Sequence, residues 1–283
     1  MKREELRIRD PFVYKEDGVY YVLGTTGDDP WGVGSDFALY RTKNFSELEF
    51  VANLVEPNTL EGYSNRWAPE LHRYRGEYIL IVSLFREDLG RGSMILTSSS
   101  LDKPFTPLTG EYITPAHWGC LDATLFVSDG VPYLCFSNEW TTPISQDGDG
   151  SLFIARLSDD LTRLEETPKK IISGKNSNIA IEVSGFGHTG FIAEGPWLYE
   201  KDGKVILLWS TITKTGYSVV KSLASNPYGP YGDTHVIFEK DGGHCMMFTP
   251  FDGKELLTLH QPNVTPNERM QIYTFIELLK NEN

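Results

Sequence analysis

The stretch DPFVYKEDGVYYVLG, residues 10–24, has the pattern of two short β-strands joined by a tight turn. Aromatic and aliphatic residues flank the dipeptide Asp17-Gly18. Asp-Gly between such runs is a strong hairpin signal, because glycine tolerates the positive φ that the turn requires. The stretch therefore predicts a β-hairpin that carries a carboxyl group, that of Asp10, at its start.

The same pattern recurs four more times along the chain. The later copies are APELHRYRGEYILIVS (68–83), DATLFVSDGVPYLCFS (122–137), EGPWLYEKDGKVILLWS (194–210) and HCMMFTPFDGKELLTLH (244–260). Their turn glycines, with that of the first copy, are separated by 58, 54, 73 and 50 residues: Gly18, Gly76, Gly130, Gly203 and Gly253.

Repeats of about 50 residues that each contain a hairpin are typical of propeller blades, which are four-stranded antiparallel sheets. Further alternating segments follow each hairpin, and no amphipathic helix of ordinary length interrupts them. We therefore predict an all-β fold, a five-bladed β-propeller that occupies residues 1–283 as one domain.

The starts of the hairpins carry related side chains. Counted back from the turn glycine, Asp10 and Asp122 lie at −8, and Glu194 and His244 lie at −9. The innermost strands of a propeller crowd together at one mouth of the central channel, so these four side chains are predicted to meet there. Carboxyl groups brought together repel one another, which raises the pKa of at least one of them. The pattern indicates an acid/base site.

The charge of the chain excludes some classes of partner. The formal net charge is −13, with 26 Lys and Arg against 39 Asp and Glu and no basic block. Nucleic acids and anionic membranes require a positive patch, so a neutral substrate is expected instead. No apolar run approaches the roughly 18 residues needed to span a bilayer. The start MKREELRIRD lacks the apolar core of a signal peptide, which predicts a cytoplasmic protein, or a secreted or periplasmic one if a leader was removed.

Taken together, five motifs resemble glycoside hydrolase family 43. They are RDPFV, WAPEL, LDATLF, EGPWLY and LHQPN, in this order and spread over residues 9–263. The resemblance implies a five-bladed propeller that inverts configuration while cleaving pentosides of plant cell-wall polysaccharides or oligosaccharides. An α-L-arabinofuranosidase or a β-xylosidase is expected, with no required cofactor and with the catalytic residues at the mouth of the channel.

The resemblance also implies roles for the three carboxyl groups. Asp10 corresponds to the general base, Glu194 to the general acid, and Asp122 to the residue that orients the acid and raises its pKa. The chemistry agrees with this division, because an inverting enzyme needs an acid and a base roughly 6.5–9.5 Å apart with a water molecule between the base and the sugar.

Further residues are implied in binding. The resemblance places His244 on the channel axis, near a water molecule or a cation such as Ca²⁺ that it contacts through water; a hydrogen-bonded core histidine is the alternative. Trp31 lies in a glycine-rich loop, Trp67 in the WAPE segment, and Asn138 and Trp140 in SNEW at the end of a strand. These four are candidates for substrate binding. The position of Trp67 before the first strand of the second blade favours a role in the site, whereas Trp31 and Trp140 are equally compatible with a place in the core.

Two other functions remain open at this point. β-Fructosidases share the fold but retain configuration and carry Asn-Asp-Pro and Glu-Cys motifs, where this chain has Arg-Asp-Pro and Glu-Gly-Pro. A propeller that binds carbohydrate without cleaving it is the second alternative, although all three carboxyl groups are present. Cleavage of chromogenic sugars separates these functions.

Overall fold

The computed structural model of the chain describes residues 1–34, 37–142 and 145–275. Five antiparallel sheets follow one another along the chain, and in each of them the strands are ordered as in the sequence. The prediction of a five-bladed β-propeller is confirmed. Single 3-10 turns occur at Arg3–Glu5 and Gln146–Gly148. None of the helices in the described ranges has the length and apolar character needed to cross a membrane.

The first two blades each contain four strands. Blade 1 consists of β1 (Arg9–Glu16), β2 (Val19–Thr25), β3 (Ala38–Thr42) and β4 (Glu49–Asn53). Blade 2 consists of β5 (Ser64–Tyr74), β6 (Glu77–Arg86), β7 (Gly90–Ser98) and β8 (Thr106–Pro107).

The next two blades have four strands as well, with a small hairpin between them. Blade 3 consists of β9 (Cys120–Ser128), β10 (Val131–Asn138), β11 (Ser151–Arg156) and β12 (Lys169–Ser173). The hairpin consists of β13 (Val183–Gly185) and β14 (His188–Gly190). Blade 4 consists of β15 (Glu194–Lys201), β16 (Lys204–Thr213), β17 (Gly216–Ala224) and β18 (Gly232–Phe238).

Blade 5 has three strands within the described part of the chain. They are β19 (Gly243–Phe248), β20 (Leu256–Gln261) and β21 (Arg269–Thr274). The segment that follows the fifth hairpin, RMQIYTFIELL (269–279), contains β21, and its residues from 276 onward lie outside the described range.

The first strand of each blade faces the axis. Each of β1, β5, β9 and β15 contacts the first strand of the next blade, and β19 contacts β1, which closes the ring. The apolar core lies between the blades rather than on the axis. Trp209, for example, is fully buried in the cluster between blades 3 and 4. This arrangement leaves the starts of the five inner strands together at one mouth.

The hairpin turns of the first four blades have the conformation that the sequence predicts. Both turn residues have positive φ, as a two-residue type I′ turn requires. The pairs are Asp17-Gly18, Arg75-Gly76, Asp129-Gly130 and Asp202-Gly203. The fifth hairpin differs, because a longer loop containing Gly253 joins β19, which ends at Phe248, to β20, which begins at Leu256.

A β-bulge occurs at the mouth end of every inner strand. One residue of each bulge has a φ between 44° and 56°: Asp10, Ala68, Asp122, Gly195 and His244. The residue before it pairs with the second strand, as Arg9 does with Thr25 and Glu194 with Ser210. Bulges re-aim side chains at such rims.

The bulges correct one prediction about register. Glu194 does not share the position of Asp10; it lies one residue earlier, at the position of Arg9, and Gly195 takes the bulged position in blade 4. His244 shares the bulged position of Asp10, although it lies nine residues before its turn glycine and Asp10 lies eight before its own. The difference arises because the loop of the fifth hairpin is longer than the other four turns.

Candidate active site

A cavity of about 600 Å³ opens at the mouth where the inner strands begin. All five blades contribute to its wall, and so does the β13–β14 hairpin. The cavity brings together the four side chains that the sequence assigns to the mouth: Asp10, Asp122, Glu194 and His244. These positions fit the expected acid/base site.

A second depression of about 890 Å³ lies on blade 1, away from the mouth. Its polar wall includes Arg41 and Glu49, which pair with each other at 2.7 Å and are both exposed. None of the predicted site residues lines it. The carboxyl groups that line it, those of Glu47 and Glu49, are exposed, whereas Asp122 in the first cavity is buried.

A set of side chains at the ends of the second strands joins neighbouring blades at the mouth. Each member follows its turn glycine by seven residues: Thr25, Ser83, Ser137, Ser210 and His260. Four of them accept a hydrogen bond from the backbone N–H of the bulged residue in the next blade, at 2.8–3.2 Å. The exception is Ser137, which donates to the carbonyl of Ala193. This set, the mouth ring, holds the bulged backbone in its strained conformation.

Both carboxylate oxygens of Asp10 have partners. The hydroxyl of Thr25 donates to Oδ2 at 2.6 Å, and Nδ1 of His244 lies 3.1 Å from Oδ1. Burial alone would raise the pKa of Asp10, but the nearby charges of His244 and Arg9 outweigh it, so the pKa lies below the ordinary value of an aspartate. Asp10 is therefore ionised at neutral pH, as a general base must be.

Glu194 is in the opposite state. The hydroxyl of Tyr217, itself buried, donates to its Oε1 at 2.7 Å. Burial raises the pKa of Glu194, and the charge of Asp10 adds to the effect. The carboxyl group of Glu194 consequently keeps its proton to higher pH than an exposed glutamate does, as a general acid must.

Asp122 lies between the acid and the histidine. Its Oδ2 accepts a hydrogen bond from the N–H of Gly195 at 3.1 Å and lies 3.6 Å from Nδ1 of His244. Burial raises the pKa of Asp122, and the neighbouring Glu194 raises it further. The contact to Gly195 ties Asp122 to the backbone directly beside Glu194, in a position to orient the acid.

His244 points into the cavity and bridges two carboxyl groups. Asp10 and Asp122 raise its pKa against the effect of burial, so the imidazole is cationic. A protonated imidazole offers no lone pair to a metal. Among residues 1–34, 37–142 and 145–275, no three His, Cys, Asp or Glu side chains are grouped to hold a metal ion. Contact through water is therefore the way in which His244 would meet a cation in the channel.

His260 is a member of the site that the sequence analysis missed. Burial, together with the charge of Arg9, lowers its pKa to about 3, so the ring is neutral. Its Nδ1 accepts the backbone N–H of Asp10 at 3.2 Å, which places the ring proton on Nε2, 3.2 Å from Oδ1 of Asn263. The same oxygen accepts from Arg9 Nη2 at 2.8 Å. His260 thus connects the base to Arg9.

Aromatic and guanidinium groups form one wall of the cavity. The Trp31 side chain is half exposed and meets the Trp67 ring edge-on, with 5.4 Å between the centroids. The guanidinium of Arg9 lies 5.2 Å from the centroid of Trp31, and that of Arg91 lies 3.8 Å from the centroid of Trp67. Two of the three tryptophans proposed for substrate binding, Trp31 and Trp67, therefore belong to the cavity wall.

The other two binding candidates have different positions. Trp140 lines the cavity on the side of blade 3. Asn138 is buried and is not part of the lining; its side-chain amide donates to the carbonyl of Trp118 and to Thr142 Oγ1. The structure therefore places Trp140 at the cavity and gives Asn138 contacts within the protein.

The missed residues differ in how visible they are in the sequence. The mouth ring has a constant offset from the turn glycines, so His260 and Thr25 could have been found by counting forward as well as back. Arg9 directly precedes Asp10. Tyr217 has no such signal, because a tyrosine in an apolar strand is equally typical of the core.

The comparisons with known proteins agree with this geometry. A family model described as "Glycosyl hydrolases family 43" matches residues 5–280. The crystal structure of an endo-arabinase from Bacteroides thetaiotaomicron is 28% identical, with a TM-score of 0.87 and coverage of 97% of this chain and 96% of that one.

Curated proteins give matches of the same kind. An extracellular exo-α-(1→5)-L-arabinofuranosidase of Streptomyces avermitilis is 26% identical over 71% of this chain, and the match spans 40% of its own length. A probable arabinan endo-1,5-α-L-arabinosidase C of Aspergillus niger is 25% identical, over 84% of this chain and 70% of its own. The chain thus spans about two fifths of the Streptomyces relative.

Proposed function

Because the chain belongs to glycosyl hydrolases family 43, we propose that it hydrolyses α-1,5-linked L-arabinofuranosyl oligosaccharides with inversion of configuration. The relatives described above as arabinofuranosidases and arabinanases support arabinose over xylose as the sugar. Residues 1–283 act in this proposal as one propeller domain, and the description of one relative as extracellular supports action outside the cytoplasm.

One observation carries the mechanism: two carboxyl groups in one cavity have pKa values shifted in opposite directions. That of Asp10 is lowered and that of Glu194 is raised. Environments that separate the pKa values of two acids assign one as base and the other as acid. Asp10 and Glu194 also lie on blades 1 and 4, which are not neighbours, and this placement leaves room for a sugar and a water molecule between them.

The reaction then takes one step. Asp10 removes a proton from a water molecule as its oxygen attacks the anomeric carbon from the face opposite the leaving group. Glu194 gives its proton to the glycosidic oxygen as the bond from that oxygen to the anomeric carbon breaks. Asp122 orients Glu194 through the N–H of Gly195, and repulsion between the two carboxyl groups favours a proton on one of them. Cationic His244 fixes the two aspartates relative to each other.

In this proposal the residues of the cavity wall bind the substrate. Trp31, Trp67 and Trp140 supply flat apolar surfaces, and Arg9 supplies a donor for sugar hydroxyls. A cation in the channel, contacted by His244 through water, remains a prediction, and the acid/base chemistry does not depend on it.

The direct test offers the protein a panel of substrates and follows the anomer that forms first. We expect cleavage of α-1,5-arabinotriose, with the β anomer of arabinose appearing before mutarotation in proton NMR spectra. Xylobiose and sucrose are expected to be cleaved at least about 100-fold more slowly, because a pocket discriminates chiefly through hydrogen bonds to substrate hydroxyls. Initial release of the α anomer would show retention, and binding of arabinotriose without cleavage would show a carbohydrate-binding protein.

A second prediction concerns His260. Changing His260→Ser restores the type of residue found at this position in the other four blades, so the fold should persist while the link to Asn263 and Arg9 is lost. We expect kcat/KM to fall about three- to tenfold, as for one lost hydrogen bond. The acidic limb of the pH profile should move to higher pH, because the imidazole of His260, which helps to lower the pKa of Asp10, is gone.

The matched control for this prediction is His260→Leu. Leucine also leaves the N–H of Asp10 unpaired, which costs about 1–3 kcal/mol of stability, so Tm should fall in this variant but not in His260→Ser. A His260→Ser enzyme with the activity and pH profile of the original would show that His260 only closes the mouth ring.

A further inference from the structure

The β13–β14 hairpin has an unusual residue in its turn. Phe186 and Gly187 form a two-residue turn with φ values of 52° and 78°, the same conformation as in the blade hairpins. The first turn residue of those hairpins is Asp17, Arg75, Asp129 or Asp202. Positive φ is uncommon for a bulky residue, because its Cβ crowds the backbone. A phenylalanine here costs conformational energy that aspartate or asparagine would largely avoid.

The side chain of Phe186 is also exposed to water. It has 88% of its surface accessible, the highest value among the large exposed apolar side chains of the described residues. An exposed apolar ring in a strained turn contributes neither to packing nor to the turn itself. Such a combination indicates binding when the residue faces a functional site, and Phe186 lines the same cavity as Asp10 and Glu194.

The hairpin is firmly supported at its base. The N–H of Phe191 donates to the carbonyl of Gly148 at 2.8 Å, and the N–H of Gly150 donates to the carbonyl of Phe191 at 2.9 Å. Near the tip, Gly185 lies beside the Trp140 ring, which a methyl group placed on this glycine would approach to 3.8 Å. Phe186 is therefore held over the cavity by a defined support.

The position of the hairpin determines which part of a substrate it can contact. Strand β14 ends at Gly190 and β15 begins at Glu194, so the hairpin adjoins the general acid. A general acid lies within hydrogen-bond reach of the leaving oxygen. The sugar bonded through that oxygen consequently lies on the side of the cavity where Phe186 and Trp140 are found. Trp31 and Arg9 are on blade 1, the side of the base.

From these observations we infer that Phe186, supported by Trp140, is a stacking platform for the leaving-group sugar, an L-arabinofuranose ring of an oligosaccharide substrate. The inference rests on the proposed function and narrows it. The protein takes substrates with at least one sugar beyond the scissile bond, and it uses the apolar C–H face of that sugar to bind them. A strained turn is kept because the ring must point at the substrate.

The test compares two substrates in the variant Phe186→Asn. Asparagine before glycine is a favoured pair for this turn, so Tm should stay the same or rise. For α-1,5-arabinotriose we expect kcat/KM to fall about tenfold, because the aromatic surface is lost. For α-L-arabinofuranosyl fluoride, whose leaving group has no ring to stack, the fall should be about twofold or less. Phe186→Tyr keeps the ring and should restore the activity on arabinotriose.

Phe251→Ala is the matched control, because Phe251 is also exposed but lies in the loop of the fifth hairpin, at the far end of β19 from the mouth. It should leave the ratio of the two activities unchanged. Equal losses of kcat/KM on both substrates, or no loss on arabinotriose, would contradict the stacking role of Phe186 and leave the proposed hydrolysis intact. If the unmodified protein cleaves neither arabinotriose nor the fluoride, the proposed function fails and the platform with it.

Discussion

Changing Asp10→Asn is expected to lower kcat/KM by about 10³-fold or more on every substrate, since general-base catalysis contributes up to about 10⁴-fold. Asparagine has the shape of aspartate and also tolerates a positive φ, so the bulge at this position should persist. It can still accept the hydrogen bond from Thr25, but it cannot take a proton from water. The loss should therefore appear in kcat with little change in Tm.

The control for this variant is Asp129→Asn. Asp129 has a φ of 49°, close to the 51° of Asp10, but it lies in a hairpin turn at the opposite end of the inner strand from the mouth. Activity and Tm of this variant should match those of the original protein. An Asp10→Asn enzyme that keeps more than about a tenth of its activity would show that another group activates the water.

The second large effect is expected for Glu194→Gln, and it depends on the leaving group. An arabinan disaccharide needs a proton on its leaving oxygen, so kcat/KM for this substrate should fall by about 10²–10⁴-fold. Dinitrophenolate leaves without a proton, so the dinitrophenyl arabinofuranoside should retain activity within about tenfold of the original. The measurement is the ratio of the two kcat/KM values.

The pH profile supplies an independent check on the same variant. The raised pKa of Glu194 means that its active, protonated form persists to higher pH than that of an exposed glutamate and is lost as the pH rises through that pKa. The lowered pKa of Asp10 means that its active, ionised form is lost only as the pH falls. Glu194→Gln should therefore lose the alkaline limb and keep the acidic one. If Asp10→Asn spared the dinitrophenyl substrate and Glu194→Gln lost both, the acid and base assignments would be reversed.

The fold could be predicted from the sequence because one signal is repeated. Turns at Asp-Gly or Arg-Gly between apolar runs are a local property, and five copies at blade spacing leave few alternatives. The positions of Asp10, Asp122, Glu194 and His244 at the mouth followed from the same repeat.

The finer geometry could not be predicted in the same way. The bulge that shifts Glu194 by one residue depends on a hydrogen bond between its backbone and a side chain of the neighbouring blade, which no local pattern records. The contact of Tyr217 with Glu194 joins residues of two strands, and the sequence pattern of a buried tyrosine does not reveal its partner. Asn138 stands next to the site in the sequence, yet its amide is used inside blade 3.

The repeated bulge also makes the mouth a modular frame. Every inner strand has two residue positions at the mouth, that of the bulged residue and that of the residue before it. The backbone geometry at the bulged position is nearly the same in all five blades, with φ from 44° to 56°. Only some of these positions carry a catalytic side chain. Leu121 and Gly243 stand at the position that Glu194 has in blade 4, and Ala68 stands at the position that Asp10 has in blade 1. For protein engineering, Leu121 is the position to use, because it lines the cavity and a carboxyl group grafted there approaches the sugar from a new direction. Gly243 accepts no side chain on the same scaffold, because an added Cβ would collide with the Tyr217 ring.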